Sequence, residues 1–252
     1  MKITFEIYYH TRWGESLFLS GDIDELGANE ENRAVMMDYQ GDGLWKYTME
    51  LPASAKKFHY EYLVKSGEGI RREWGSPHSF SPGRNAGEYR LVDRWRDVPA
   101  NLPFYSSAFI QGIFFRQHAD SVVETIEQGT FTVKVDAPQL RPDERLVMVG
   151  DCPELGDWDV LKAPLLNDSA FPEWQITLDG RQLKFPFEYK FVIVRTHQRE
   201  VVAWETGENR ICREKPQNPS EAVVVSGLRF NGSESQWRGA GTAIPVFSLR
   251  TD

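Results

Sequence analysis

The stretch AWETGENR, residues 203–210, sets an indole, a carboxylate, an amide and a guanidinium within seven residues: Trp204, Glu205, Asn209 and Arg210. A sugar ring offers C–H faces that pack on an indole, and equatorial hydroxyls that demand directional partners. Trp204 as a plate, with Glu205 and Asn209 as its rim, is therefore chemistry suited to a neutral saccharide. A strand-terminal tryptophan taken alone is more often buried in a core, so the surrounding pattern has to decide.

Catalysis has less to draw on. His10, His59, His78, His118 and His197 are scattered, without an HExxH pair or Cys/His clustering, and no GxSxG elbow, phosphate loop or dinucleotide glycine fingerprint occurs. Acidic pairs such as Asp151 with Glu154, or Asp157 with Asp159, are expected in any chain with 37 acidic residues, and they suit turn capping. The reading is a non-enzymatic chain with no catalytic residue, no metal and no organic cofactor.

A net charge of -8 and the lack of any basic run argue against a nucleic-acid partner, whose phosphates require a positive field. The aromatic content of 13% is rich and suits a recognition surface. Cys152 and Cys212 have no CxxC spacing and read as small packed side chains, compatible with a reducing compartment. The opening MKITFEIYYHTRWGE lacks the apolar segment of a signal peptide. No run approaches the roughly 18 apolar residues of a membrane span. The expected location is cytoplasmic, with no membrane partner.

Short apolar or alternating runs such as KITFEIYY, LWKYTMEL, TFTVKVDA and FEYKFVIV, separated by Gly, Pro, Asn and Asp, predict an all-β chain of sandwiches. GDIDELG at 21–27 and GDCPELG at 150–156 agree at five of seven positions, an offset of 129 residues. Trp45 and Trp174 keep that offset; ITFEI pairs with GTFTV at 126, HYEYLV with PFEYKF at 127, and Trp74 with Trp204 at 130. A period this long is a tandem duplication rather than a solenoid. The expected units are residues 1–92, an aromatic-rich linker at 93–127, a second unit at 128–227 and a tail at 228–252. The linker is too aromatic to float free and is expected to pack between the units and fix their orientation. Trp45 and Trp174 are assigned to the cores, and the Asn231-Gly232-Ser233 sequon reads as a loop.

In the second unit ERLVMVGDCPELGDWD, PEWQITL, FEYKF and AWETGENR, in that order, resemble the starch-binding carbohydrate-binding module of family 20. The resemblance implies two tandem immunoglobulin-like antiparallel β-sandwiches that grip α-glucans. It also implies a platform of Trp158 and Trp204, aided by Lys190, Glu205 and Asn209. The first unit departs from this pattern, with LGAN for LGDW, Leu63 closing EYL where the second unit has EYK, and WGSPHSF after Trp74. The family's second sugar site is matched there instead, by Trp13 in RWGESLFLSG and Tyr39 in MMDYQGDGLW, while Pro142 occupies the matching place in the second unit. Each repeat is thus expected to keep a different site.

The closing WRGAGTAIPVFSLRTD is similar to the start of the catalytic domain of glycoside hydrolase family 77. That order of domains resembles the disproportionating enzyme 2 type of 4-α-glucanotransferase. The implied function is non-catalytic binding of starch, glycogen or malto-oligosaccharides beside a catalytic barrel of the same polypeptide. The alternatives are a scaffold or self-association module with degenerate sugar sites, and a stand-alone enzyme acting on sugars.

Overall fold

The computed structural model describes residues 1–83, 87–114 and 124–232. The segment 237–252, which carries the family 77 resemblance, lies outside the described residues. The first half forms β1 (Lys2–Tyr8), β2 (Ser16–Gly21), β3 (Val35–Met36), β4 (Asp38–Gly41), β5 (Leu44–Glu50), β6 (Phe58–Ser66), β7 (Gly69–Arg72), β8 (His78–Phe80) and β9 (Glu88–Arg94). After one short helix, α1 (Ser107–Gly112), the second half forms β10 (Thr130–Asp136), β11 (Glu144–Gly150), β12 (Asn167–Ala170), β13 (Glu173–Asp179), β14 (Phe187–Arg195), β15 (Val201–Trp204), β16 (Arg210–Cys212) and β17 (Ala222–Arg229). The all-β class read from the alternating runs is what the chain adopts. Among the described residues no helix is long and apolar enough to cross a membrane.

Alternation builds the faces. In β14, Phe187, Tyr189, Phe191 and Ile193 enter the core of the second half. Glu188, Lys190, Val192 and Val194 take the alternate positions and so point outward. Trp45 and Trp174 are buried, and each donates its indole N–H to a backbone carbonyl, of Tyr9 and Ala137 respectively. Cys152 and Cys212 are free and buried, and burial pushes the Cys152 thiol up to about 11.

Two smaller sheets, β3-β2-β6-β7 with β8 beside β6 and β11-β14-β15 with β16 beside β14, pack on one large sheet in the order β12-β13-β10-β17-β9-β1-β5-β4. That order is a palindrome of equivalent strands, and its centre is a parallel pairing of β9 with β17 from Ala222 opposite Tyr89 to Ser226 opposite Asp93. Equivalent strands lying parallel and adjacent are related by a two-fold axis along the strand direction, which turns the sheet over between the halves. The cores record this. Tyr89 and Leu91 of β9 pack in the first core, together with Ala222 and Val224 of β17. Val92 of β9 packs in the second core with Val223 and Val225. Each of the two central strands therefore supplies apolar side chains to both sandwiches.

Polar groups close the same seam. Asp93 accepts hydrogen bonds from the hydroxyls of Tyr60, Tyr62 and Ser226, and His78 reaches Ser226 on one side and Glu73 on the other. Gly227, at φ 77°, lies so close to β9 that a Cβ there would sit 2.3 Å from the Arg94 carbonyl oxygen. The linker joins in: Ile110 of α1 is fully buried in the second core, while Tyr105 meets Trp74 of the first half edge-on at 5.0 Å.

Strand register corrects the internal alignment. Thr4 meets Thr48 as Thr132 meets Thr177, an offset of 128 for the first strands rather than 126. Gly21 faces Tyr60 as Gly150 faces Tyr189, so 129 holds in the middle and the pairing at 127 is displaced. Tyr60 faces His78 as Tyr189 faces Arg210, giving 132 near the end rather than 130. All three corrections are two-residue slips, which leave every side chain on its proper face and so do not disturb the alternation pattern.

Candidate functional site

The outward stripe of β14 is the floor of the site. Val192 and Val194, with Val147, Val149 and Ala163, form a small apolar patch on which Trp158 and Val160 lie. Trp204 stands directly opposite Val192 across the β14–β15 pairing. Opposed residues of neighbouring strands share a face, so Trp204 lies on the same outer side of the sheet as the apolar patch on which Trp158 packs. Trp204 is 44% exposed and Trp158 is partly buried.

Trp158 sits in a backbone conformation that its side chain disfavours. Asp157 and Trp158 have φ of 50° and 64°, and the Trp158 N–H donates to the Gly150 carbonyl at 2.7 Å. The first half repeats this turn at Ala28 and Asn29, also at 50° and 64°. Asparagine is at home in the left-handed region and a bulky aromatic is not; holding one there costs on the order of 1–3 kcal/mol. Sandwich packing supports both turns, yet only the second puts an indole on the outer face.

Lys190 donates to the carbonyls of Glu205 and Gly207 and so pins the turn that follows Trp204. Asn209 is exposed, and its amide N–H donates to Glu188 at 2.8 Å. Glu205 does not reach the surface. It is 4% exposed, its carboxylate accepts two hydrogen bonds from Arg210, and it also accepts the backbone N–H groups of Phe191 and Asn231. The expected rim carboxylate is thus revised to a buried brace beneath Trp204, because Arg210 is buried beside it and a paired charge is what burial permits. Glu188, which orients Asn209, and Asn231, whose side-chain oxygen accepts from the backbone and hydroxyl of Thr206, had not been singled out as site residues. Both lie outside the AWETGENR run: the β14–β16 pairing brings Glu188 to Asn209, and the turn after β17 brings Asn231 to Thr206.

In the first half, Trp13 is fully exposed and Tyr39 is 57% exposed. The Tyr39 ring lies 5.1 Å from Trp45, and its hydroxyl accepts from the Gly43 N–H. The backbone of Tyr9, four residues before Trp13, is tied to the same Gly43, so both aromatics emerge from one end of that sandwich. Trp13 rides on a turn in which the Arg12 N–H donates to Glu15; the second half keeps the turn, Arg141 to Glu144, with Pro142 at its tip.

Register also identifies what the first half has in place of the platform. Leu63 faces Arg72 as Val192 faces Trp204, so Arg72 stands where Trp204 does. Asn29 stands for Trp158 and Glu61 for Lys190. Arg72 pairs with Glu31 and Glu61, and the outer face becomes an ion network. Leu63 is therefore not the counterpart of Lys190, nor Trp74 that of Trp204. Trp74 follows Glu73 as Thr206 follows Glu205, and the Arg229 guanidinium lies 5.4 Å from its ring centre. Glu73 is the counterpart of Glu205: it accepts the Tyr62 N–H and contacts His78 and Arg96. Burial is the largest single influence on it and pushes its carboxyl up, but the charges and hydrogen bonds of His78 and Arg96 together prevail and hold it at about 2.

Among the described residues no group of three or more His, Cys, Asp or Glu could hold a metal ion. A paired β-sandwich that lays two indoles across a valine floor, with an amide and an ammonium at their edge, has the form of a carbohydrate-binding module. A family model described as the starch binding domain matches residues 1–85 and 128–223, and the chain belongs to that family. It is 29% identical over 278 residues to 4-alpha-glucanotransferase DPE2 of Oryza sativa subsp. japonica, an alignment that covers all of this chain and 28% of that protein. It is 34% identical over 73 residues to AA13 family lytic polysaccharide monooxygenase A of Aspergillus terreus, covering 27% of this chain and 18% of that one. Among solved structures, the family 20 module of the maltotetraose-forming amylase from Pseudomonas saccharophila matches 38% of this chain and 99% of its own, at 19% identity and a TM-score of 0.31. The chain thus spans little more than a quarter of the glucanotransferase it resembles.

Proposed function

We propose that this chain binds α-glucans without catalysing their conversion, through Trp158, Trp204, Lys190 and Asn209 in the second repeat and through Trp13 and Tyr39 in the first. Glu205 enters as the brace that holds Trp204. The observation that carries the reading is the pair of indoles on one outer face, Trp158 packed on the valine patch and Trp204 opposite Val192 within it. Rigid aromatic plates lose little entropy on binding, and two of them on neighbouring elements can meet successive rings of a curved α-1,4 chain.

The duplicated units are taken as residues 1–92 and 128–227. The likeness to DPE2 supports a place beside a 4-α-glucanotransferase domain, of family 77 by the resemblance of 237–252, to which bound starch, glycogen or malto-oligosaccharide would be delivered. The free, buried cysteines suit a cytoplasmic setting. Two sites engaging one long glucan would raise avidity by about 10² to 10⁴ over either alone.

Isothermal titration of β-cyclodextrin and maltoheptaose into the chain tests this. Saturable binding that falls with Trp204→Ala, and falls again on adding Trp13→Ala, is the expected result. An absence of saturable binding to any α-glucan would remove the function while leaving the fold.

A further inference from the structure

A sizeable cavity among the described residues lies not on the platform but in the seam between the two sandwiches. It encloses about 620 Å³, within the range of about 300–1,000 Å³ typical of small-molecule sites. Its walls come from three sources. Loop 74–79 of the first half gives Trp74, linker residue Tyr105 stands against that ring, and Phe171 with the start of β13 closes the far side.

Its polar lining is balanced in sign. Arg96 is paired to Glu73 and Lys134 to Glu173, and Lys134 also donates across the seam to the Ser79 carbonyl. No cationic excess is left to select a phosphate or other anion. Aromatic surface beside paired charges of both signs fits a neutral polyhydroxylated ring.

We propose that this seam cavity is a further binding site, which takes a short α-linked oligosaccharide or one end of a longer α-glucan. It rests on the glucan-binding reading for the class of ligand and on none of the platform residues for its place. A ligand seated there would touch both sandwiches and the linker at once, so occupancy would couple the two halves.

Maltotriose titrated calorimetrically into the chain, and into a Trp13→Ala/Trp158→Ala/Trp204→Ala variant, separates the two ideas. The expected result is one remaining site in the triple variant, weakened at least tenfold when Ser76→Trp fills the cavity mouth and also by Tyr105→Ala, with each fold verified by thermal unfolding. Binding by the unaltered chain but none by the triple variant overturns the seam site and leaves the platform reading intact. Residual binding indifferent to both Ser76→Trp and Tyr105→Ala also overturns the seam site. Silence from every chain overturns both.

Discussion

The outer faces of the two repeats are built on the same backbone and carry opposite chemistry. Gly21 and Gly150 hold the same register, and the turn beyond each carries the same pair of positive φ values. Yet Trp158, Trp204 and Lys190 in one repeat are Asn29, Arg72 and Glu61 in the other. The buried braces are kept, Glu205 with Arg210 and Glu73 with His78 and Arg96. A duplicated sandwich thus preserves what holds its turns and is free to exchange what it shows to solvent. Where the second repeat carries two indoles, the first carries an exposed ion network, which contributes little to stability.

The comparison breaks most visibly at the braces. Glu205→Ala removes the carboxylate that neutralises the buried Arg210 and is expected to cost about 3–5 kcal/mol of unfolding free energy, with Glu73→Ala in the same range, as read by urea denaturation. A loss under about 1 kcal/mol for Glu205→Ala, with glucan binding abolished, would return that carboxylate to the rim.

Next comes the surface itself. Trp204→Ala is expected to weaken β-cyclodextrin binding about 30-fold, or roughly 2 kcal/mol, while Arg72→Ala leaves the affinity unchanged. Equal effects at the two positions would erase the distinction between the faces.

A smaller effect distinguishes the seam from both faces. Burial first, and then the charge of Glu173, push the Asp136 carboxyl up to about 6 against the opposing pull of Arg96, Arg229 and His78. A carboxyl with a folded pKa above its unfolded one binds more protons when folded. Its contribution is whole below about pH 4 and is lost as pH rises through about 6. Thermal unfolding at fixed pH values should show a decline on the order of 1–2 kcal/mol over that interval, which Asp136→Asn removes. Glu73 runs the other way: its depressed pKa stabilises above about pH 4.5, and that part is lost as pH falls toward 2. A decline that persists in Asp136→Asn would assign it elsewhere. The smallest expected change is about fivefold, or ~1 kcal/mol, in maltoheptaose affinity on Trp13→Ala. No change would make the first repeat a spacer.

Much of this was legible in the residues. Alternation gave the strands, and the ordered motifs marked Trp158 and Trp204, which the fold sets on one face. Register was not legible, because a slip of two residues preserves every inward and outward position, and the three loose pairings each erred by that amount. Glu205 misled because a carboxylate is read by type as a surface group, and its burial depends on Arg210 lying within reach once β15 and β16 line one edge of β14. The seam was hidden for a different reason. Pairing β9 with β17 joins residues about 130 apart, and nothing local to either strand names its neighbour.

That central pairing has a bearing on solubility. A strand at the margin of a sheet offers its unpaired backbone to any passing chain, and a run such as AVVVS in β17, β-branched and uncharged, is the sort that recruits one. Back-to-back union removes both such strands from the margin. What remains outermost on the large sheet is DYQG in β4 and NDSA in β12, four residues each and polar. A single repeat cut from its twin would regain an adhesive border, and the duplicated chain carries its own guard against that.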